Sequence, residues 1–278
     1  MLRVEDLSIW FEDRGTLEKV VKGISFSMDS GEILGIVGES GSGKTMTALT
    51  IAGILKKNAR IESGKIAFEG KELLSLTGKE LRDIQGKEIS MIFQEPMTAL
   101  NPTLRIGRQV EETLLLHEKM SRKERKERAF QALRDVELKD IESVYKKYPH
   151  ELSGGMRQRV MIAAAVIDRP KLLIADEPTT ALDVHTQEGI LTLLKKLNKK
   201  YKMGILFISH NLRVVKELCS RVLVMKEGEI VEEGTAEAIF ADPKTAYTRE
   251  LIEAIPSRTK GSMYYDLLKE KAGEMHEG

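Results

Sequence analysis

One octapeptide constrains this chain more than any other feature. Gly38-Glu39-Ser40-Gly41-Ser42-Gly43-Lys44-Thr45 follows the short apolar run Glu32 to Val37 and precedes a helical pattern over Lys44 to Lys56. Strand, glycine loop and helix are the opening of an α/β unit, and the loop fits the phosphate-binding pattern G-x-x-x-x-G-K-[ST]. Glycines at 38, 41 and 43 let the backbone curl so that successive N–H groups face one anion. The helix that begins at Lys44 aims its positive end at the same place. The Lys44 ammonium suits the β- and γ-phosphates of ATP, and the Thr45 hydroxyl suits a Mg²⁺ ion. Gly38 through Thr45, with Met46 behind them, form the candidate ATP-binding segment.

A second element lies far along the chain. Leu172-Leu173-Ile174-Ala175 is an apolar strand that ends in Asp176 and Glu177, and open α/β sheets bind ligands at the C-terminal edges of their strands. Alone, such a pair is as well read as a solvated strand end. Beside a phosphate loop it acquires roles: Asp176 to hold Mg²⁺ through its water shell, Glu177 to orient and deprotonate an attacking water.

The rest of the chain fills in the architecture. Leu2 to Phe11 alternate as a strand, Ile61 to Leu73 read as short strands joined by glycine turns, and ISMIF near Ile89 is another strand. From about Ile106 to Tyr148 the pattern is helical and charged. The basic run Arg122 to Arg128 reads as a solvated helix face, with Glu124 and Arg128 at i,i+4 spacing. The α/β alternation then resumes through Gly204–Ser209 and Val222–Met225 to a hairpin at Gly228. Residues 1–94 and 165–242 are therefore expected to form one discontinuous α/β core, 95–164 an inserted helical subdomain, and 243–278 a C-terminal helical extension with a poorly ordered end.

Composition sets the limits. A chain of 278 residues makes one large domain or two small ones. Lys plus Arg number 44 against 43 Asp plus Glu, an even balance that gives no reason to expect nucleic-acid binding. One cysteine, Cys219, excludes an internal disulfide and reads as a buried structural thiol. The start of the sequence lacks the apolar core of a signal peptide. The longest nearly apolar stretch, Val160 to Ile167, is far short of the ~20 residues that span a bilayer. The expectation is an intracellular protein with no membrane span of its own.

Leu152-Ser153-Gly154-Gly155-Met156-Arg157-Gln158-Arg159 resembles the signature motif of ATP-binding cassette (ABC) proteins. Physically it is a second helix N-terminus, capped by Ser153 and opened to close approach by its glycines. The resemblance implies a P-loop NTPase of α/β class, with a RecA-like core, an antiparallel β subdomain and the helical insert. It also implies that Ser153, Gly154, Gly155 and Gln158 face ATP held by a second cassette, head to tail. Gln94 is similar to the glutamine that senses Mg²⁺ and the attacking water, Asp183 to the loop through which two cassettes communicate, and His210 to the histidine at the γ-phosphate. An aromatic that stacks on adenine is expected near the end of the first strand, where Phe11 fits the position better than Trp10, although either suits the core.

Two stretches are similar to the oligopeptide, dipeptide and nickel importers: Phe93 to Pro102, and Thr179 to Gln187. So is Ala246-Tyr247-Thr248-Arg249-Glu250-Leu251-Ile252. That group implies an ATPase at the cytoplasmic face of the membrane, with a second cassette, two transmembrane permease subunits and an extracytoplasmic solute-binding protein. Peptides are the expected solutes, with nickel or a metal chelate as the alternative. Many members carry a C-terminal segment with several cysteines; none follows Cys219 here, and an iron–sulfur cluster is not expected. A soluble cassette working on ribosomes or DNA is disfavoured by a single phosphate loop and no sustained heptads.

Overall fold

The computed structural model describes residues 1–13, 15–93, 99–180 and 182–254. The expectations placed on Gln94 and on 255–278 lie outside the described residues.

Three strands explain the sheet at the centre. β3 (Ile33–Val37), β7 (Leu172–Asp176) and β8 (Gly204–Ser209) are buried at every residue. With β6 (Ile89–Ile92), β9 (Arg221–Lys226) and β10 (Glu229–Thr235) they form a six-stranded sheet in the order β10-β9-β3-β8-β7-β6. β9 through β6 run parallel, and β10 returns antiparallel at one edge. A parallel sheet is covered on both faces, so its strands read as continuous apolar runs. On one face Ile205, Phe207, Leu173, Ala175, Val222 and Val224 meet the helices. On the other Leu34, Ile36, Ile174, Leu206, Ile208 and Leu223 pack in one cluster with residues of a second sheet.

That second sheet is antiparallel and four-stranded, in the order β2-β1-β4-β5. It contains β1 (Leu2–Asp13), β2 (Thr16–Met28), β4 (Ala59–Phe68) and β5 (Lys71–Glu72). β2 is a long strand absent from the sequence reading, although Ile24, Phe26 and Met28 alternate as buried residues. Helix α1 (Lys44–Ile51) sends Ala48 and Ile51 into the cluster shared by both sheets. The helical pattern extends to Lys56, yet α1 stops at Ile51. Gly53 takes φ +70°, and the Gln85 amide donates to the carbonyls of Ala52 and Gly53, both at 3.0 Å.

After α2 (Gly78–Ile84) and β6, the insert comprises α3 (Ile106–Val110), α4 (Glu112–His117), α5 (Arg122–Asp135), α6 (Ile141–Lys146) and α7 (Gly154–Val166). The basic run lies on α5, which buries Ala129, Phe130, Ala132 and Leu133. Glu124 is not spent on Arg128. It closes a capping box with Ser121, while Arg128 donates to the Ile167 carbonyl at 2.8 Å and stands 3.6 Å from Asp168. The chain then continues through α8 (Val184–Tyr201), α9 (Leu212–Leu218), α10 (Ala236–Ala241) and α11 (Ala246–Glu253). Cys219 is buried just beyond α9, and desolvation holds its thiol well above the ordinary range.

Gly35 marks how closely α9 approaches the sheet: a Cβ there would lie 2.7 Å from Val215 Cγ1 and 3.0 Å from Cys219 Sγ. Gly35→Ala should lower stability by about 1–3 kcal/mol through overpacking, seen as an earlier midpoint in urea unfolding. Combined with Val215→Ala, the loss should be smaller than the sum of the two single changes.

Candidate functional site

The phosphate loop runs from the end of β3 to the start of α1, and two glycines in it have no substitute. A Cβ at Gly38 would lie 2.1 Å from the Met225 carbonyl oxygen, and one at Gly43, where φ is +97°, would lie 2.5 Å from that of Val20. Lys44 is buried within this curl. Its Nζ donates to the carbonyls of Gly38 at 2.8 Å and Glu39 at 2.6 Å, and stands 3.3 Å from Ser42 Oγ. Burial pushes the Lys44 ammonium below the ordinary lysine range, and the negative charges of Glu177, Asp176 and Glu39 partly oppose that shift. The loop therefore holds a cation ready at its centre, bound for the moment to its own carbonyls.

The carboxylates arrive from β7. Asp176 is buried at the strand end, where Thr45 Oγ1 donates to its Oδ1 at 3.3 Å. Desolvation raises the Asp176 carboxyl above its usual range and the charge of Glu177 adds to this, against the Thr45 hydroxyl and Lys44. Glu177 takes φ +46°, a left-handed backbone that non-glycine residues seldom adopt. Its N–H donates to the Ile208 carbonyl at 2.9 Å, and its Oε2 accepts the Thr180 hydroxyl at 2.9 Å. His210 Nδ1 lies 3.0 Å from Glu177 Oε1.

Lys44 and Glu177 border one cavity of about 220 Å³, lined besides by Ser40, Gly41, Gly43, Thr45 and Met46 from the loop and helix start, and by Phe11 and Val20 from the antiparallel sheet; Asp176 and His210 stand behind it, bonded to Thr45 and Glu177. Phe11 stands on the cavity. Trp10 is not among its lining residues; Lys19 Nζ lies 5.9 Å from its ring centroid. Val20 escaped the sequence reading because β2 itself did. A hydroxyl and a buried carboxylate side by side are hard oxygen donors and fit Mg²⁺, which keeps several waters and takes phosphate oxygens. Among the described residues no group of three or more His, Cys, Asp or Glu could hold a metal by itself.

Two expected residues are placed away from the cavity. Glu39 does not line the cavity, and its N–H donates to the Tyr247 hydroxyl at 3.1 Å. Gln158 does not present its amide outward. It is 1% exposed, and its Nε2 donates to the Pro178 carbonyl at 2.6 Å, tying α7 to the residue after Glu177. A helix start leaves open which face the fifth residue takes, and core packing decided it. Asp183 is exposed and caps α8, its carboxylate accepting the Thr186 N–H at 3.0 Å and the Thr186 hydroxyl at 2.7 Å. Ser153 caps α7 by accepting the Met156 N–H at 3.4 Å, and Gly154 has open space before it. Ser153, Gly154 and Gly155 do not line the cavity of their own chain.

A phosphate loop at the edge of a parallel sheet, with a hydroxyl, two carboxylates and a histidine converging on it, defines a P-loop nucleoside triphosphatase. The sequence profile of the ABC transporter family matches residues 21–180, and the chain belongs to that family; it is an ATPase cassette. It is 47% identical over 269 residues to the dipeptide transport ATP-binding protein DppD of Haemophilus influenzae, covering 97% of this chain and 82% of that one. It is 48% identical over 258 residues to the oligopeptide transport ATP-binding protein OppD of Bacillus subtilis, covering 92% and 72%. The ATP-binding cassette MJ0796, in a dimeric post-hydrolysis structure bound to ADP and Pi, superposes with a TM-score of 0.75 at 30% identity, over 85% of this chain and 99% of that one. These cassettes share the α/β fold described above.

Because the Asp176 carboxyl titrates above its ordinary range, protonation favours the folded state, and its contribution is lost as pH rises from the ordinary carboxylate range through the raised value. Asp176→Asn should therefore raise the Tm of the metal-free chain near neutral pH by at least about 2 °C. The gain should shrink toward acid pH, while Mg²⁺-dependent turnover is lost.

Proposed function

We propose that this chain is the ATP-hydrolysing subunit of a peptide importer, working at the cytoplasmic face of a membrane. The observation that carries the reading is that Lys44, Thr45 and Glu177 line one cavity, with Asp176 bonded to Thr45 behind them, in a chain whose quoted relatives are named as dipeptide and oligopeptide transport proteins. Those names favour peptides over nickel or a metal chelate. Among the described residues no helix is long and apolar enough to cross a membrane, so the span is assigned to two permease subunits, fed by an extracytoplasmic binding protein. Residues 1–94 and 165–242 are the core, 95–164 the helical subdomain, and 243–278 the extension.

In this reading the Lys44 ammonium would exchange the Gly38 and Glu39 carbonyls for β- and γ-phosphate oxygens, and Phe11 would stack on the adenine. Thr45 and Asp176 would hold Mg²⁺, which when bound would neutralise phosphate charge, and Gln94 keeps the sensing role that the resemblance implies. Glu177 takes a proton from the attacking water, held in place by Thr180 and His210 until His210 turns to the γ-phosphate. Ser153, Gly154 and Gly155 complete the site of a second cassette, and Asp183 lies in the loop that reports between the two. The dimeric cassette structures support such a pairing.

Gentle extraction of the tagged chain from its native membranes tests the assignment. Two multi-span proteins and a second cassette should copurify; ribosomal or DNA-associated partners without a membrane protein would refute it. In the assembled complex Glu177→Gln should keep ATP binding and lower turnover about 10²- to 10⁴-fold, accumulating a closed dimer, and Lys44→Ala should lose nucleotide binding or turnover.

A further inference from the structure

Ala246-Tyr247-Thr248-Arg249 is unused by the proposed reaction, yet it opens α11, and α11 reaches the phosphate loop. The contact falls on a single peptide unit. The carbonyl of Gly38 accepts Lys44 Nζ at 2.8 Å, and the N–H of the next residue, Glu39, donates to Tyr247 Oη at 3.1 Å. Those two groups belong to one planar amide and point in opposite directions. Whatever fixes the N–H end therefore fixes the carbonyl end, and with it the rest position of the Lys44 ammonium.

Tyr247 is itself held. It is 7% exposed, and Lys226 Nζ lies 4.8 Å from its ring centroid. The start of its helix is fastened to β10. The Glu232 carboxylate accepts the Lys244 N–H at 2.8 Å and, at 3.1 Å each, the Thr245 N–H and hydroxyl. Thr245 Oγ1 in turn accepts the Thr248 N–H at 3.1 Å, and Thr248 is fully buried. The loop beyond is held at its far side, where the Ser42 carbonyl accepts the Gly228 N–H at 3.2 Å, but its tip is open: a Cβ built on Gly41 would meet nothing within 4 Å, and Ser40 and Gly41 border a cleft of about 130 Å³.

We propose that Tyr247 is a positioning residue for the phosphate loop, fixing the plane of the Gly38–Glu39 peptide so that nucleotide meets a preformed cradle. The inference rests on the ATP-binding reading above. A preformed loop spares the bound nucleotide an ordering cost, so loss of the hydroxyl acts on affinity and leaves chemistry in the bound state largely alone.

The test uses the full-length chain and MgADP. Tyr247→Phe keeps the ring and its contact with Lys226 while deleting the hydroxyl, and it should weaken MgADP binding by calorimetry about three- to tenfold, the worth of one net hydrogen bond. In the assembled complex KM for ATP should rise with kcat retained. Residue-resolved amide exchange on the wild-type chain gives an independent reading that holds even where the variant does not fold. The Glu39 amide should be protected without nucleotide and unchanged by MgADP, while amides of Gly41 to Thr45 gain protection. An unaltered affinity in Tyr247→Phe, or a Glu39 amide that gains protection with its neighbours, overturns the proposal alone. No binding of MgADP by the wild-type chain overturns the nucleotide reading together with it.

Discussion

A lysine ammonium and an aspartate carboxylate, both nearly withdrawn from water, stand at the junction of β3, α1 and β7. Burial acts against both charges, lowering the affinity of Lys44 for its proton and raising that of Asp176. Neither has a direct ion-pair partner among the described residues. Lys44 rests on backbone carbonyls and Asp176 on a threonine hydroxyl, so each charge stays available to a ligand that brings the opposite one. The surrounding structure follows from that requirement. Glycines let the backbone close around the ammonium, and parallel strands with both faces covered bury Lys44 and Asp176 beneath a rim that stays open to water at Ser40, Gly41 and Thr45. Electrostatic preorganisation of this kind is where phosphoryl-transfer catalysts gain most of their effect.

Much of this was legible in the sequence, for a physical reason. β3, β7 and β8 are buried on both faces, so their residues had to be apolar without interruption, and the ligand-binding positions follow directly at their ends. The phosphate loop was readable because steric contact with the Met225 and Val20 carbonyls leaves no alternative to glycine at 38 and 43. β2 was not readable. Its pairing with β1 shifts register three times, and charged residues such as Glu18, Lys19 and Lys22 break the alternation. The direction of the Gln158 side chain was hidden too, since a helix start does not say which face will be covered. The contact of Tyr247 with Glu39 joins residues 208 apart, beyond the reach of any local pattern.

The inserted helices are joined to α8 by polar links as well as apolar packing. At the end of α5 Asp135 accepts Lys200 Nζ at 2.6 Å and also the Tyr201 hydroxyl, and just beyond it Glu137 accepts Lys196 Nζ at 2.5 Å. The Gln158 bond to Pro178 is of another kind, because it is buried and ends one residue from Glu177. A rotation of α7 would be felt at the carboxylate through that bond, whereas the outer links can re-form with water.

Glu177 holds its left-handed backbone in a strand-to-loop turn where a glycine would sit without strain. A residue kept in such a conformation carries a cost of order 1–3 kcal/mol, which the surrounding bonds to Ile208, Thr180 and His210 must offset. The position is therefore a compromise between fitness for folding and fitness for chemistry. A selection for thermal stability alone would drift toward glycine here and yield a sturdier protein without its carboxylate.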